Sequence, residues 1–281
     1  MLEPAAKHKE RPMSGLEVGI GGLGAIGLPV ARWLAGRPPG LTLAAVSARD
    51  QRRAAERLKA AGIEVPVVPA DALAGRAQVV IECLPAAVFD SVAVPAIRAG
   101  RTLLVLSVGA LLERMALVEE ARRTGARIIV PTGALLGLDA VRAAAQGTIH
   151  SVKLVTRKPP RGLVGAPYLE ERSISLEGLA APLRVFAGSA REGARGFPAN
   201  VNVAAALALA GIGPDRTELE IWADPSVTRN THRIEVEADS TRFTMTIEGV
   251  PSEENPRTGK LTPLSVIACL RGLVEPLRVG T

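Results

Sequence analysis

Two hydrophobic rhythms divide the chain. Across residues 16–131, short apolar runs alternate with stretches of helical period. "LEVGI", "LTLAAVS", "VPVV", "QVVIEC", "RTLLVLS" and "ARIIVP" predict strands. Between them, "QRRAAERLKAAG", "AAVFDSVAVPAIRAG" and "ALLERMALVEEARRTG" predict helices that close on Gly62, Gly100 and Gly125. A glycine is favoured there because the residue after a helix often turns left-handed. Strands that are apolar throughout are covered on both faces, so strands of this kind joined by helices predict a doubly wound parallel α/β sheet.

Beyond about residue 148 the rhythm changes to period two. "IHSVKLVT", "TELEIWA", "HRIEVEAD" and "RFTMTIEG" alternate apolar and polar residues, the mark of strands with one wet face, usually antiparallel. Two helices accompany them. "NVNVAAALALAG" follows Pro198, and "TPLSVIACLRGLVEPL" places Thr262 as N-cap and Pro263 at the first helical position. This half predicts an α+β unit with helices on one face of a mainly antiparallel sheet. The expected division is a loose extension over 1–14, with Met13 as an alternative start. A dinucleotide-binding domain over 15–134 and an α+β substrate or dimerisation domain over 135–254 follow. The segment 255–281 forms a C-terminal helix that packs back on the first domain. The Gly-, Pro- and Arg-rich stretch 157–197 predicts no clear element, and part of it reads as a mobile loop.

The first strand runs into "GIGGLGAIG", in which Gly22, Gly24 and Gly27 form G-x-G-x-x-G, with Ala25 and Ile26 between the last two. The first glycine permits a tight turn, the second lets a pyrophosphate approach the backbone, and the third lets helix and strand pack closely. The motif is weak alone, but here it follows a strand and opens a helix, where phosphate binding requires it. About 25 residues on, the second strand ends in "VSARD". Asp50 can reach an NAD ribose, Arg49 can pair with an NADP 2′-phosphate, and both can be solvated loop charges; the pattern leaves NAD or NADP open. Ligands bind at the carboxyl ends of such strands, here "ECLPAA", "SVGAL" and "PTGALLG", which bring in Cys83, Leu84, Ser107 and Ala134. Cys83 can be read as a thiol nucleophile, but no base is placed beside it, and a lone Cys usually packs as a small apolar residue.

Chemistry-bearing residues in the second half are few. In "RNTHRIEVEAD" the alternation puts His232 on the apolar side with Ile234 and Val236. An imidazole exchanges protons near neutral pH, so His232 is the candidate general acid/base, against a hydrogen-bonded core histidine. His150 is its rival, in phase with Val152 and Leu154, while His8 lies in the loose N-terminus. Cations that can hold an anionic substrate are Lys158 first, then Arg157, Arg229, Arg233 and Lys260. Asn200 and Asn202 sit at a helix start, as caps or as ligand contacts.

Bulk composition narrows the classes. The 281 residues are 47% hydrophobic and 22% charged, as in a soluble globular protein. A net charge of +6 permits an anionic ligand, but scattered basic residues and 2% aromatics argue against nucleic acid. Two cysteines make neither a disulfide framework nor a metal cluster and point to a reducing cytosol. No apolar run of about 18 residues is present, so no membrane helix is expected.

The blocks "GFPANVNVAAALALAGIG", "IWADPSVTRNTHRIEVEADS" and "ENPRTGKLTPLSVIACLR", with the glycine loop and "PTGALLGLDA", resemble those of L-aspartate dehydrogenases from about Leu16 onward. The resemblance implies a Rossmann domain plus an α+β domain, a homodimer, and NAD- or NADP-dependent oxidation of L-aspartate. The product would be iminoaspartate, which hydrolyses to oxaloacetate and ammonia and can feed pyridine-nucleotide synthesis. It also implies His232 as the active-site histidine, with Ala134 and Asn202 (Asn200 as a second reading) as cofactor contacts. "VSARD" departs from the family in lacking an acid directly after the strand. Two other functions share the plan: an imine or dipicolinate-type reductase, for which an expected pair of adjacent histidines is missing, and a non-catalytic NAD(P)-binding regulator.

Overall fold

The structure, a computed structural model, describes residues 15–198, 201–255 and 258–280. The first half alternates strand and helix: β1 (Leu16–Gly21), α1 (Gly27–Ala35), β2 (Leu41–Ser47), α2 (Gln51–Ala60), β3 (Val79–Glu82), α3 (Asp90–Arg98), β4 (Thr102–Val105), α4 (Val108–Leu112), α5 (Ala116–Thr124) and β5 (Arg127–Ile129). The strands form one parallel sheet in the order β2-β1-β3-β4-β5. Its two faces feed different cores. Val18, Ile20, Ile81 and Leu104 pack with Leu34 of α1 and Leu58 of α2. Val80, Leu103 and Val105 pack with Val92 and Ile97 of α3 and Leu117 of α5. The apolar runs other than "VPVV" thus form the strands of a doubly covered sheet, and Gly62, Gly100 and Gly125 all take left-handed backbone.

The second half contains α6 (Leu138–Ala144), β6 (Ile149–Lys158), α7 (Pro167–Glu171), β7 (Leu183–Ser189), α8 (Ala190–Gly196), α9 (Asn202–Ala210), β8 (Thr217–Ala223), β9 (Asn230–Ala238), β10 (Arg242–Gly249) and α10 (Leu261–Arg271). Its sheet runs β10-β9-β6-β8-β7. Helices cover one face. Ala204, Ala205, Ala206 and Ala208 of α9 are buried, because small side chains let this helix lie between the sheet and α4. The other face carries charge pairs such as Lys153–Glu220 at 2.8 Å, and Arg157 stacks over Trp222. Helix α10 returns to the first domain, where Val266 and Leu270 are buried in the core of β1 and α1.

Several expectations are corrected. "VPVV" contributes only an isolated bridge, Val46 to Val67, since Pro66 cannot donate to a ladder. The helical stretch 110–125 breaks at 113–115, between α4 and α5. Within 157–197 lies a strand, β7, followed by a capping box in which Ser189 and Glu192 exchange hydrogen bonds. The second sheet is mainly antiparallel, as expected, with β6 and β8 as its one parallel pair among the described residues. Helix α10 begins at Leu261 with Lys260 as its N-cap, so Thr262 lies inside it. Finally, a bulge between Ile149 and Ser151 reverses the side-chain phase, and His150 is exposed.

Candidate active site

In the strand order β2-β1-β3 the direction of winding switches beside β1, which is where such sheets bind ligands. The glycine loop occupies this point. Gly22 N–H donates to Ser47 O at 2.7 Å. A Cβ on Gly22, whose φ is +107°, would meet Cys83 O at 2.7 Å, and a Cβ on Gly27 would meet Gly22 O at 1.8 Å. A Cβ on Gly24 meets nothing within 4 Å. Gly22 and Gly27 thus fold the loop tightly, and Gly24 leaves an open side for a phosphate. Beyond Ala25, Ile26 precedes α1 without a side-chain cap, which leaves the helix N-terminus to a ligand.

Two side chains brace this loop. Cys83 Sγ lies 3.2 Å from the carbonyl oxygens of Gly21 and Gly22. Burial, then the nearby Glu82 charge, pushes its thiol pKa up, so Cys83 is a support and not a nucleophile. Arg57 of α2 donates to Leu23 O at 2.7 Å. Asp50 caps α2, accepting from Arg53 N–H at 2.9 Å, and Arg49 is exposed.

Glu82, fully buried at the end of β3, was missed although "ECLPAA" contains it. Its carboxyl accepts from Leu84 N–H at 2.9 Å and Ser107 N–H at 3.0 Å, with Ser107 Oγ at 2.9 Å. Burial raises its pKa against the lowering effect of these bonds. It stitches together the segments that follow β3 and β4, and Leu84 and Ser107 line the site.

Between the two sheets opens a cleft of about 540 Å³. Ile26, Leu84, Ser107, Ala134, Lys158, Asn202 and His232 line it. Gly22, Gly24, Ala25 and Gly27 on the loop, Arg49 and Asp50 after β2, and Cys83 after β3 lie outside that lining. Asn200 falls outside the described residues. Asn202 begins α9, and its Oδ1 accepts from Gly109 N–H at 3.0 Å, which leaves its amide donors for a ligand. Ala134 follows Gly133, whose N–H donates to Ser265 Oγ of α10 at 3.1 Å.

His232 is 3% exposed and faces inward with Ile234 and Val236, as the alternation predicts. It sits directly opposite Thr156 across β9 and β6, with Nδ1 3.1 Å from Thr156 Oγ1. Burial, then the charge of Lys158, pushes its pKa down to about 3. The ring is therefore neutral near pH 7, and Nε2 is the nitrogen left for chemistry. Lys158, two residues beyond Thr156 and on the same face, is buried and is the one Lys or Arg among the described residues lining the cleft. It is the last residue of β6; the loop expected at this point begins one residue later. The other cations point elsewhere. Arg157 pairs with Asp224 at 3.0 Å, Arg233 with Glu235 at 2.7 Å and Lys260 with Glu253 at 2.8 Å, and Arg229 is exposed. Thr156 was also missed. Its signal was the series Val152, Leu154, Thr156, Lys158, a polar residue in phase with apolar ones.

Known proteins resemble the chain over both halves. Residues 139–273 match the family "Aspartate dehydrogenase, C-terminal", and residues 22–131 match "Homoserine dehydrogenase, NAD binding domain". An L-aspartate dehydrogenase of Bradyrhizobium diazoefficiens is 54% identical over 95% of each chain. L-aspartate dehydrogenase 3 of Bordetella bronchiseptica is 54% identical over 95% of this chain and 98% of its own. The solved structure of aspartate dehydrogenase from Thermotoga maritima shares the fold with a TM-score of 0.71 at 23% identity, covering 94% of this chain and 99% of that one.

Proposed function

Because the chain belongs to the L-aspartate dehydrogenase family, we propose that it oxidises L-aspartate with NAD or NADP to iminoaspartate, which hydrolyses to oxaloacetate and ammonia. The observation that carries this reading is the pairing, in one cleft beside the glycine loop, of a neutral histidine held by Thr156 with a buried lysine. Gly22 to Gly27 fit a pyrophosphate, since the open side of Gly24 is where it would lie. Leu84, Ser107, Ala134 and Asn202 line the adjoining space for the nicotinamide end. A bound nicotinamide would supply the acceptor for the hydride of the substrate Cα.

The chain's own groups manage charge and protons. Lys158 attracts a substrate carboxylate in a site where burial strengthens the interaction. For His232 Nε2 to accept a proton, Nδ1 must carry one and donate it to Thr156 Oγ1. The ring then takes a proton from the substrate ammonium before oxidation. Once it has released that proton to solvent, the neutral ring deprotonates the water that attacks the imine carbon, and returns this second proton to the departing ammonia. In this reading the enzyme works in the cytosol as a homodimer and supplies pyridine-nucleotide synthesis.

The test is to incubate purified protein with L-aspartate and NAD⁺ or NADP⁺ and follow the absorbance of the reduced nicotinamide. Aspartate-dependent reduction is expected. Nucleotide binding with no turnover on either cofactor would overturn the proposal and leave a non-catalytic binding protein.

A further inference from the structure

We propose that this chain prefers the 2′-phosphorylated dinucleotide, NADP, and that Arg49 and Arg53 are the residues that read its 2′-phosphate. The inference rests on the dinucleotide site of the proposed function but not on its substrate. Gly21 and Ser47 are partners in the parallel pairing of β1 and β2, and Gly22 N–H donates to Ser47 O at 2.7 Å. The residues directly after β2 therefore flank the glycine loop, where the adenosine ribose of a dinucleotide lies.

An NAD site needs a carboxylate here to accept the ribose hydroxyls. The strand instead ends in Ser47, and Ala48 follows it. The nearest acid, Asp50, is engaged as the N-cap of α2, with Oδ1 accepting Arg53 N–H at 2.9 Å. Beyond the Asp50 cap, the first turn of α2 holds no acidic side chain, so the capping carboxylate is the one acid of this helix end that Arg49 and Arg53 must outweigh.

Cations, in contrast, are arranged for one. Arg57 reaches Leu23 O at 2.7 Å, which fixes the face of α2 that meets the loop. Arg53 lies one turn earlier on that same face, and Arg49 leads into it. Arg52, on a different face, pairs with Glu56 at 3.6 Å, and Arg57 pairs with Glu254 at 3.5 Å. Arg49 and Arg53 are exposed and form no ion pair among the described residues. Two guanidinium groups beside a helix N-terminus suit a phosphate dianion and give no advantage to a plain hydroxyl.

The test uses probes that lack nicotinamide: calorimetric titration of the protein with 2′,5′-ADP and with 5′-ADP, then with NADPH and NADH. The 2′-phosphorylated member of each pair should bind at least about tenfold more tightly. An Arg49→Ala/Arg53→Ala double variant should bring the members of each pair to within about twofold, with 5′-ADP affinity unchanged. Equal affinities in the unaltered protein, or a preference that survives the double variant, would show that these arginines are solvated surface charges and sink the inference. Binding of neither ADP probe would remove the nucleotide site and this inference together. Aspartate turnover equal with both cofactors, without any 2′-phosphate preference, would leave the proposed activity standing and overturn only this inference.

Discussion

Thr156 and His232 face each other across β6 and β9, hydroxyl to Nδ1 at 3.1 Å, with both residues buried. The threonine fixes the ring's orientation and leaves one nitrogen toward the cleft. Thr156→Val should lower kcat by about tenfold or more, within the range one acid–base group supplies, while dinucleotide affinity stays unchanged. Thr156→Ser, which restores the hydroxyl, should recover most of the rate. His232→Ala should cost about 10²–10⁴-fold in turnover. Steady-state kinetics with parallel nucleotide titrations check both.

The depressed pKa of His232 also makes a stability prediction. In the unfolded chain this histidine takes a proton near pH 6.5, whereas in the folded chain it stays neutral down to about 3. Between those values the unfolded state binds more protons, so stability falls as pH falls, by up to about 1.4 kcal/mol per pH unit from this group. Above pH 6.5 the contribution is constant. Urea unfolding at pH 7 and pH 5 should show a smaller loss for His232→Gln than for the unaltered chain. Equal losses would contradict this.

Removing the cleft cation separates binding from chemistry. Lys158→Met should raise the KM for L-aspartate by about tenfold or more, the scale of a lost charge-assisted contact, with dinucleotide affinity preserved. Because the Lys158 charge depresses the His232 pKa, the acid limb of the activity profile should move to higher pH in the variant. A profile that stays in place would show that the two groups do not communicate.

Two glycines of one motif should respond differently. Gly24→Val adds a side chain that meets no protein atom at its Cβ, so melting temperature should hold while dinucleotide affinity drops by about tenfold or more. Gly27→Ala places a methyl 1.8 Å from Gly22 O, so stability and binding should fall together. Thermal melts and titrations of the two variants check the contrast.

The fold was legible where a local pattern decides it. Doubly buried strands, helix-ending glycines and the inward phase of His232 all follow from neighbours a few residues apart. What was hidden depends on partners distant in sequence. The bulge that turns His150 outward is a mismatch between β6 and β9, and neither strand alone reveals it. The parallel pairing of β6 and β8 is likewise a matter of topology. Thr156 and Glu82 read as unremarkable residues until the structure places them against His232 and Ser107. Lys158 ranks ahead of Arg157 in the sequence, but the reason is visible only in β6, which extends through both and sends one inward and the other toward Asp224.

Helix α10 has a consequence in time. Its Val266 and Leu270 fill the core that β1 begins, about 250 residues earlier. A ribosome adds roughly 5–20 residues each second, so this core waits many seconds for its last piece. The dinucleotide-binding half, synthesised ahead of the second half, is finished only after it. A newborn chain therefore acquires both walls of its cleft nearly together, and the last gap in a core that α1 and α2 already line closes only then.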